Sequence, residues 1–163
     1  AAGMTGMGVH LTDLMIWLFG PVDKVFASTA KRALKFKTGD VVTASLNHKS
    51  GLSTQITAIL KTPHYQRITI WGEIGWVELT DSSHPDTPGP SYMKTVMSDG
   101  SVNEENFEWS DTVSANINNF VDAINKKDEY LFKDIEKFQN IAVLEAIYAS
   151  SLSKKSVDVE SFN

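Results

Sequence analysis

The chain has 163 residues, and its 20 acidic residues outnumber its 15 basic ones, which gives a formal net charge of −5. This length suits a single domain with a sizeable core, and the basic residues are too scattered to form a stripe that neutralises nucleic-acid phosphates. The absence of cysteine excludes disulfides, thiolate chemistry and cysteine-bound metals, and no apolar run is long enough to span a bilayer. We therefore expect a cytoplasmic protein with neither nucleic acid nor a membrane as a partner.

A short helix is predicted near the start of the chain, over residues 9–19. Its apolar side chains recur every three or four residues, and a Gly-Pro pair follows them as a typical stop signal. The loop before the helix contains Gly3, Gly6 and Gly8, but their spacing is not that of a dinucleotide-binding loop and no predicted strand precedes them. We therefore predict no cofactor-binding residue in this chain.

The middle of the chain alternates apolar and polar residues with the period of a β-strand. This alternation over residues 42–46 and 52–60 surrounds a turn at Gly51. A second pair of runs, over residues 68–71 and 76–79, surrounds a Gly-Glu-Ile-Gly turn. The pattern predicts two antiparallel hairpins.

The last third of the chain is predicted to be helical, with one helix near residues 114–124 and a longer one over about residues 132–153. Strands grouped in the middle and helices at the ends indicate an α+β fold, a mainly antiparallel open sheet with helices packed on one face. Apolar residues, among them Ile59, Trp71 and Val77, are expected on the other face of the sheet. An apolar second face predicts a homo-oligomer formed through that face.

His10 and Asp13 form the most informative polar pair, because residues three apart share a face of a helix. Asp13 can hold and polarise the His10 imidazole, and histidine is the side chain best suited to move protons near neutral pH. A lone histidine in an apolar helix is more often a core or surface residue, and Asp13 could equally cap the helix or pair locally. We predict His10 as a catalytic residue and Asp13 as a substrate-binding residue.

A second polar segment, residues 61–67, lies between two predicted strands. It is rich in hydrogen-bond donors, and loops at strand ends often bind ligands, although a solvated loop is the simpler interpretation. From it we predict Tyr65 and Arg67 as substrate-binding residues. The three other histidines stand alone, without a second ligand at metal spacing, so we predict no metal site.

Four segments of the chain follow one another in the order found in a known enzyme family. They span nearly the whole chain and are residues 8–25 (GVHLTDLMIWLFGPVDKV), 68–79 (ITIWGEIGWVEL), 119–124 (NFVDAI) and 145–151 (EAIYASS). In this order they resemble the C-terminal domain of the Gfo/Idh/MocA oxidoreductases, which include glucose–fructose oxidoreductase and inositol dehydrogenase.

The resemblance implies a two-domain enzyme in which an N-terminal Rossmann domain binds NAD or NADP. Residues 1–163 would then be its single C-terminal substrate-binding and oligomerisation domain. Substrates in the family are sugars, cyclitols or related polyols, and hydride passes to or from a carbon that bears a hydroxyl or carbonyl group. Because the chain begins at Ala1 rather than at a methionine, we expect a piece that lacks the Rossmann domain. Alone, it should bind no cofactor and be inactive.

The family's helix-start motif has an aspartate four residues before a histidine that acts as an acid–base catalyst or orients the substrate. His10 matches that histidine, whereas the aspartate position falls on Gly6, and the neighbouring Thr5 carries the nearest hydroxyl. The resemblance thus implies Thr5 and Gly6 as substrate-binding residues. The missing aspartate leaves one alternative to an enzyme, a catalytically inactive ligand sensor or scaffold. The apolar second face of the sheet leaves another, a free-standing oligomerisation module.

Overall fold

The computed structural model describes Met4, residues 8–81, His84 and residues 87–162. Within these residues the chain forms three α-helices and eight β-strands. In chain order they are α1 (Val9–Phe19), β1 (Val22–Ala30), β2 (Val41–His48), β3 (Ser53–Ile59), β4 (Gln66–Gly72), β5 (Gly75–Asp81), β6 (Ser91–Met97), β7 (Val102–Phe107), α2 (Thr112–Ile124), α3 (Asp134–Ser153) and β8 (Val157–Asp158). They divide into two compact units, one from residues 1–61 and 132–163 and the other from residues 62–131.

The first unit is built on a four-stranded antiparallel sheet in the order β3-β2-β1-β8. Its strands alternate between a buried and an exposed face, and the pairs Val25–Leu46 and Ala27–Ala44 lie on the buried face. Helix α3 packs against β1, and α1 packs against α3. The buried apolar side chains of each element are removed from water by its neighbours, which is the main stabilising contribution in this unit, whereas Trp17 of α1 and Leu152 of α3 are exposed.

Helix α3 is fixed to strand β1 by the fully buried Ser150. The Ser150 hydroxyl accepts a hydrogen bond from the Ala27 N–H at 2.8 Å and donates one to the Lys155 carbonyl at 2.6 Å. Strand β8 pairs with β1 only at Lys24 and Val25. Ser150 thus satisfies a buried backbone donor of β1 that lies beyond the end of β8.

The second unit contains a four-stranded antiparallel sheet in the order β4-β5-β6-β7, followed by α2. None of its described apolar side chains is buried, and Trp71 is 75% exposed. Helix α2 carries an exposed apolar stripe at helical spacing, formed by Val113, Ile117, Phe120, Val121 and Ile124. A sheet and helix that bury so little apolar area gain little hydrophobic stabilisation by themselves.

The α+β class and the antiparallel pairing predicted from the sequence are confirmed. The strands are divided between two sheets, and Pro63, which has no N–H to donate to a ladder, lies in the connection between β3 and β4. The expectation that Trp71 and Val77 share a sheet face is wrong, because they occupy successive pairs of the β4–β5 ladder and project from opposite faces. No helix in the described part of the chain is long and apolar enough to cross a bilayer.

Replacing Ser150 with alanine should lower the free energy of unfolding by about 1–3 kcal/mol, because the buried Ala27 N–H would lose its partner. Chemical denaturation followed by circular dichroism measures this loss. Ser28→Ala, on the exposed face of the same strand, is the matched control and should change the value by less than about 0.5 kcal/mol. Equal losses in both variants would contradict the role assigned to Ser150.

Candidate functional site

His10 lies in the first turn of α1, and its side chain is exposed to solvent. Gly8 is the N-cap of this helix, and a Cβ at Gly8 would collide with the side chain of Met4, which is buried. The missing side chain at Gly8 lets Met4 pack directly against the start of the helix. The imidazole therefore projects into solvent from a helix end that is itself tightly packed.

Asp13 lies one turn after His10 on the same face of α1 and is half-buried. Burial raises the pKa of the Asp13 carboxyl above its usual range, and the negative charge of Glu136 raises it further, whereas His10 acts in the opposite direction. Glu136 is half-buried and belongs to the first turn of α3. The structure thus brings His10 and Asp13 together and adds a carboxyl group from a second helix.

Asn140 of α3 holds the beginning of α1. Its side-chain oxygen accepts a hydrogen bond from the Thr12 hydroxyl at 2.5 Å, and its amide nitrogen donates one to the Val9 carbonyl at 3.2 Å. Thr12 is fully buried and Asn140 is 7% exposed, so the bond between these two side chains is shielded from water. Because Glu136 lies one turn before Asn140 on α3, the same contact places Glu136 beside Asp13.

The first turn of α3 fixes the two carboxylates that it carries in different ways. The Glu136 carboxylate accepts a hydrogen bond from the Lys133 backbone N–H at 3.1 Å. Asp134 pairs with Lys137 at 2.9 Å, and the hydrogen bond from the Lys137 ammonium holds the pKa of Asp134 below its usual range. Of the two carboxylates, it is Glu136 whose charge acts on Asp13.

The sequence predicts four further substrate-binding residues. Thr5 and Gly6 lie outside the described residues. Tyr65 and Arg67 belong to the second unit, where Tyr65 is 65% exposed just before β4 and Arg67, in β4, pairs with Glu78 at 3.8 Å. The assignment of all four residues to the substrate site stays a prediction.

The other histidines occupy two kinds of position. His48 is buried, with Nδ1 2.8 Å from the Gly20 carbonyl oxygen and Nε2 3.2 Å from the Thr54 hydroxyl, so its role is structural. His64 and His84, which the sequence pattern treats as isolated, form an edge-to-face contact with ring centroids 6.0 Å apart. Among the residues that the structure describes, no group of three or more histidine or acidic side chains is arranged to hold a metal ion.

Sequence reasoning missed Glu136 and Asn140 as residues of this region. Asn140 precedes Val143 and Ile147 at helical spacing, and an asparagine in such an apolar row is a signal that its amide needs a buried partner. That signal does not identify the partner, because Thr12 lies 128 positions away in the chain. The position of Glu136 in a predicted first helical turn indicates a role in capping and nothing more.

Asn140→Ala should lower the free energy of unfolding by about 1–3 kcal/mol, because Thr12 and Val9 lose a buried hydrogen-bond partner. Denaturant unfolding measures the loss, and amide hydrogen exchange in α1 should become faster. Gln139→Ala, one residue earlier in the same helix, is the control and should leave the exchange in α1 unchanged. Unchanged protection of α1 in Asn140→Ala would show that the helix is held by other contacts.

Comparison with known proteins places the chain in a family. Residues 4–159 match the family of Gfo/Idh/MocA oxidoreductases in its C-terminal alpha/beta domain. Among curated proteins, the chain is similar to D-apiose dehydrogenase of Rhizobium rhizogenes. The two are 24% identical over an alignment of 167 positions, which covers 94% of this chain and 47% of that protein.

Solved structures show the same fold. Aldose-aldose oxidoreductase from Caulobacter crescentus, complexed with glycerol, gives a TM-score of 0.81 at 17% identity, over 96% of this chain and 47% of that one. An oxidoreductase from Agrobacterium radiobacter, in complex with NAD+, L-tartaric acid and magnesium, gives 0.76 at 21% identity, over 95% and 48%. The chain therefore spans about half the length of the relatives it matches.

Proposed function

This chain belongs to the family of C-terminal α/β domains of the Gfo/Idh/MocA oxidoreductases, and we propose that it forms the substrate-binding domain of such an enzyme. The proposed reaction is hydride transfer to or from a sugar, cyclitol or similar polyol. Two relatives whose names refer to sugars, D-apiose dehydrogenase and aldose-aldose oxidoreductase, support this substrate class. The observation that carries the proposal is the exposed His10 imidazole with the half-buried Asp13 on the same helix face.

In this proposal His10 takes or returns the proton of the substrate hydroxyl. When a carbon that bears a hydroxyl is oxidised, it loses a hydride while the hydroxyl loses a proton, so a base must lie within hydrogen-bond reach of that hydroxyl. An imidazole can accept this proton near neutral pH, and an ionised Asp13 stabilises the imidazolium that forms. In the opposite direction, the imidazolium returns the proton to the oxygen of the reduced carbon.

We propose NAD or NADP as the cofactor, held mainly by a Rossmann domain outside this chain. The solved relative from Agrobacterium radiobacter contains NAD+. The described strands pair in antiparallel fashion throughout, so they supply no parallel βαβ unit of the kind that binds a dinucleotide. The residues of this chain would instead serve the substrate, through Thr5, Gly6, Asp13, Tyr65 and Arg67, in a cytoplasmic enzyme.

In the full gene product, His10→Asn should lower kcat/KM for the preferred polyol by about 10²- to 10⁴-fold, because the hydroxyl proton loses its acceptor. Steady-state rates with a panel of sugars and cyclitols, with NAD and with NADP, measure this effect. Since His10 is exposed, the variant should keep the unfolding midpoint of the parent protein.

Lys35→Asn, an exposed substitution in the connection between β1 and β2, is the control for that experiment and should retain parental kcat/KM. A His10→Asn enzyme with full activity would refute the catalytic assignment. A parent protein without turnover on any polyol, with either cofactor, would refute the proposed reaction itself.

We further propose that copies of the protein associate through an exposed sheet face of the second unit. An apolar row crosses all four strands of this sheet on one face and consists of Trp71, Trp76, Val96 and Val102. Trp71 and Val102, at the two ends of the row, are 75% and 56% exposed, and Trp76 and Val96 between them are half-buried. A continuous apolar row of this kind is favourable to bury against a second copy, and its location supports the predicted homo-oligomer.

Trp71→Glu should shift the oligomer toward the monomer, because it places a charge within the apolar contact. Size-exclusion chromatography with light scattering measures the molar mass. Leu52→Glu, at an exposed turn of the first unit, introduces the same charge away from the row and should leave the mass unchanged. An unchanged mass for Trp71→Glu would exclude this face as the interface.

The glycine at position 6 favours a second candidate function, a catalytically inactive member that senses a ligand or serves as a scaffold. The full gene product distinguishes the two functions. An upstream Gly-x-Gly-x-x-Gly strand-turn-helix, with a lysine that faces Thr5 and His10, favours the enzyme. Saturable polyol binding without turnover favours the sensor.

A further inference from the structure

We propose that Glu136 is a positioning residue of the site, which acts on Asp13 across the contact between α3 and α1. For its catalytic meaning this inference rests on the proposed function, whereas the Asp13–Glu136 pair is a property of this chain alone. Glu136 lies in a different helix from His10 and Asp13, and no motif of the sequence connects it with them.

The geometry that brings Glu136 to Asp13 is the contact between the first turn of α1 and the second turn of α3. Asn140 bonds both Thr12 and the Val9 carbonyl, which fixes the two helices in one register. Asp13 follows Thr12 directly in α1, and Glu136 precedes Asn140 by one turn in α3. Both carboxyl groups are half-buried, so solvent screens their interaction only in part.

Few charged groups bear on Asp13. Within the described part of the chain, they are Glu136 from α3 and His10 from its own helix, and burial adds to the effect of Glu136. The remaining charged residues of the first α3 turn are Lys133, which is exposed, and Asp134 and Lys137, which pair with each other. Asp134 therefore offers a carboxylate on the same turn that has its own counter-ion.

The consequence is a pH threshold for the site. A protonated Asp13 is neutral and gives the His10 imidazole no electrostatic support, whereas an ionised Asp13 attracts the imidazolium that forms when a hydroxyl proton is taken up. Both burial and Glu136 raise the pKa of Asp13, so Glu136 moves the threshold to higher pH. Removal of the Glu136 charge should move it to lower pH.

Stability should report the same pair with a definite sign. Because the folded-state pKa of Asp13 is raised, the folded chain binds this proton more strongly than the unfolded chain does. The contribution of Asp13 to stability is therefore most favourable at low pH and declines as pH rises from the usual Asp range through the raised pKa. Without the Glu136 charge this decline should become smaller.

The deciding experiment is an NMR titration of the side-chain carboxyl carbons in the 163-residue chain. In the parent chain, Asp13 should titrate above the usual Asp range and Asp134 below it. In Glu136→Gln the Asp13 midpoint should fall, while the Gln oxygen can still accept the Lys133 N–H bond that caps α3. Asp134→Asn is the matched control, since it removes the same charge from the same turn, and it should leave the Asp13 midpoint where it was.

Three results would overturn the inference: a parent Asp13 that titrates within the usual range, an Asp13 midpoint unmoved by Glu136→Gln, or equal movement in Asp134→Asn. The first needs no variant, so a folding defect in Glu136→Gln does not prevent a decision.

In the full gene product, the acid limb of kcat/KM should move to lower pH in Glu136→Gln, with the plateau kept within about twofold. An unmoved acid limb would refute the positioning role. A complete lack of turnover would refute the proposed function, and the titration would still decide the carboxyl pair.

Discussion

The buried amide of Asn140 is the interaction on which the arrangement of the candidate site depends. It joins α3 to the first turns of α1 through one donated and one accepted hydrogen bond. A buried amide that loses such partners is costly, so the two helices have one favourable register and few alternatives. That register places His10, Asp13 and Glu136 at the same end of the helix pair, although the residues come from opposite ends of the chain.

Different degrees of exposure give the members of this group different tasks. His10 is exposed and can contact a ligand, whereas Asp13, one turn further along the same helix, is half-buried, and burial raises its pKa. A carboxyl group held this way lowers stability at neutral pH relative to an exposed one. Unfavourable placement of a titratable group is typical of functional sites and less so of residues that only complete a core.

The two units of the chain differ in how their apolar residues are used. In the first unit, the alternating strands and the apolar faces of α1 and α3 cover one another, and Ser150 bonds a backbone donor that β8 does not reach. In the second unit, the described sheet and α2 bury no apolar side chain fully, and many of their large apolar side chains are exposed. Surfaces of the first kind support a rigid site, and surfaces of the second kind are suited to association.

The sequence by itself determined the class of fold, most helices and hairpins, and the proximity of His10 to Asp13. These features depend on periodicity and on residues three positions apart, so the relevant physics is local. It also carried the family resemblance, through four short segments in a fixed order. It did not show that the strands form two sheets, that Trp71 and Val77 project from opposite faces, or that the His64 and His84 rings touch.

Only the tertiary structure showed that Asn140 holds α1 and that Glu136 acts on Asp13. Both interactions join residues more than a hundred positions apart, across a helix contact that no local pattern encodes. Hydrogen bonds and charges at such separations depend on which surfaces pack together. Packing is set by the whole apolar surface of the unit at once, whereas a helix turn or a strand alternation is set by neighbours along the chain.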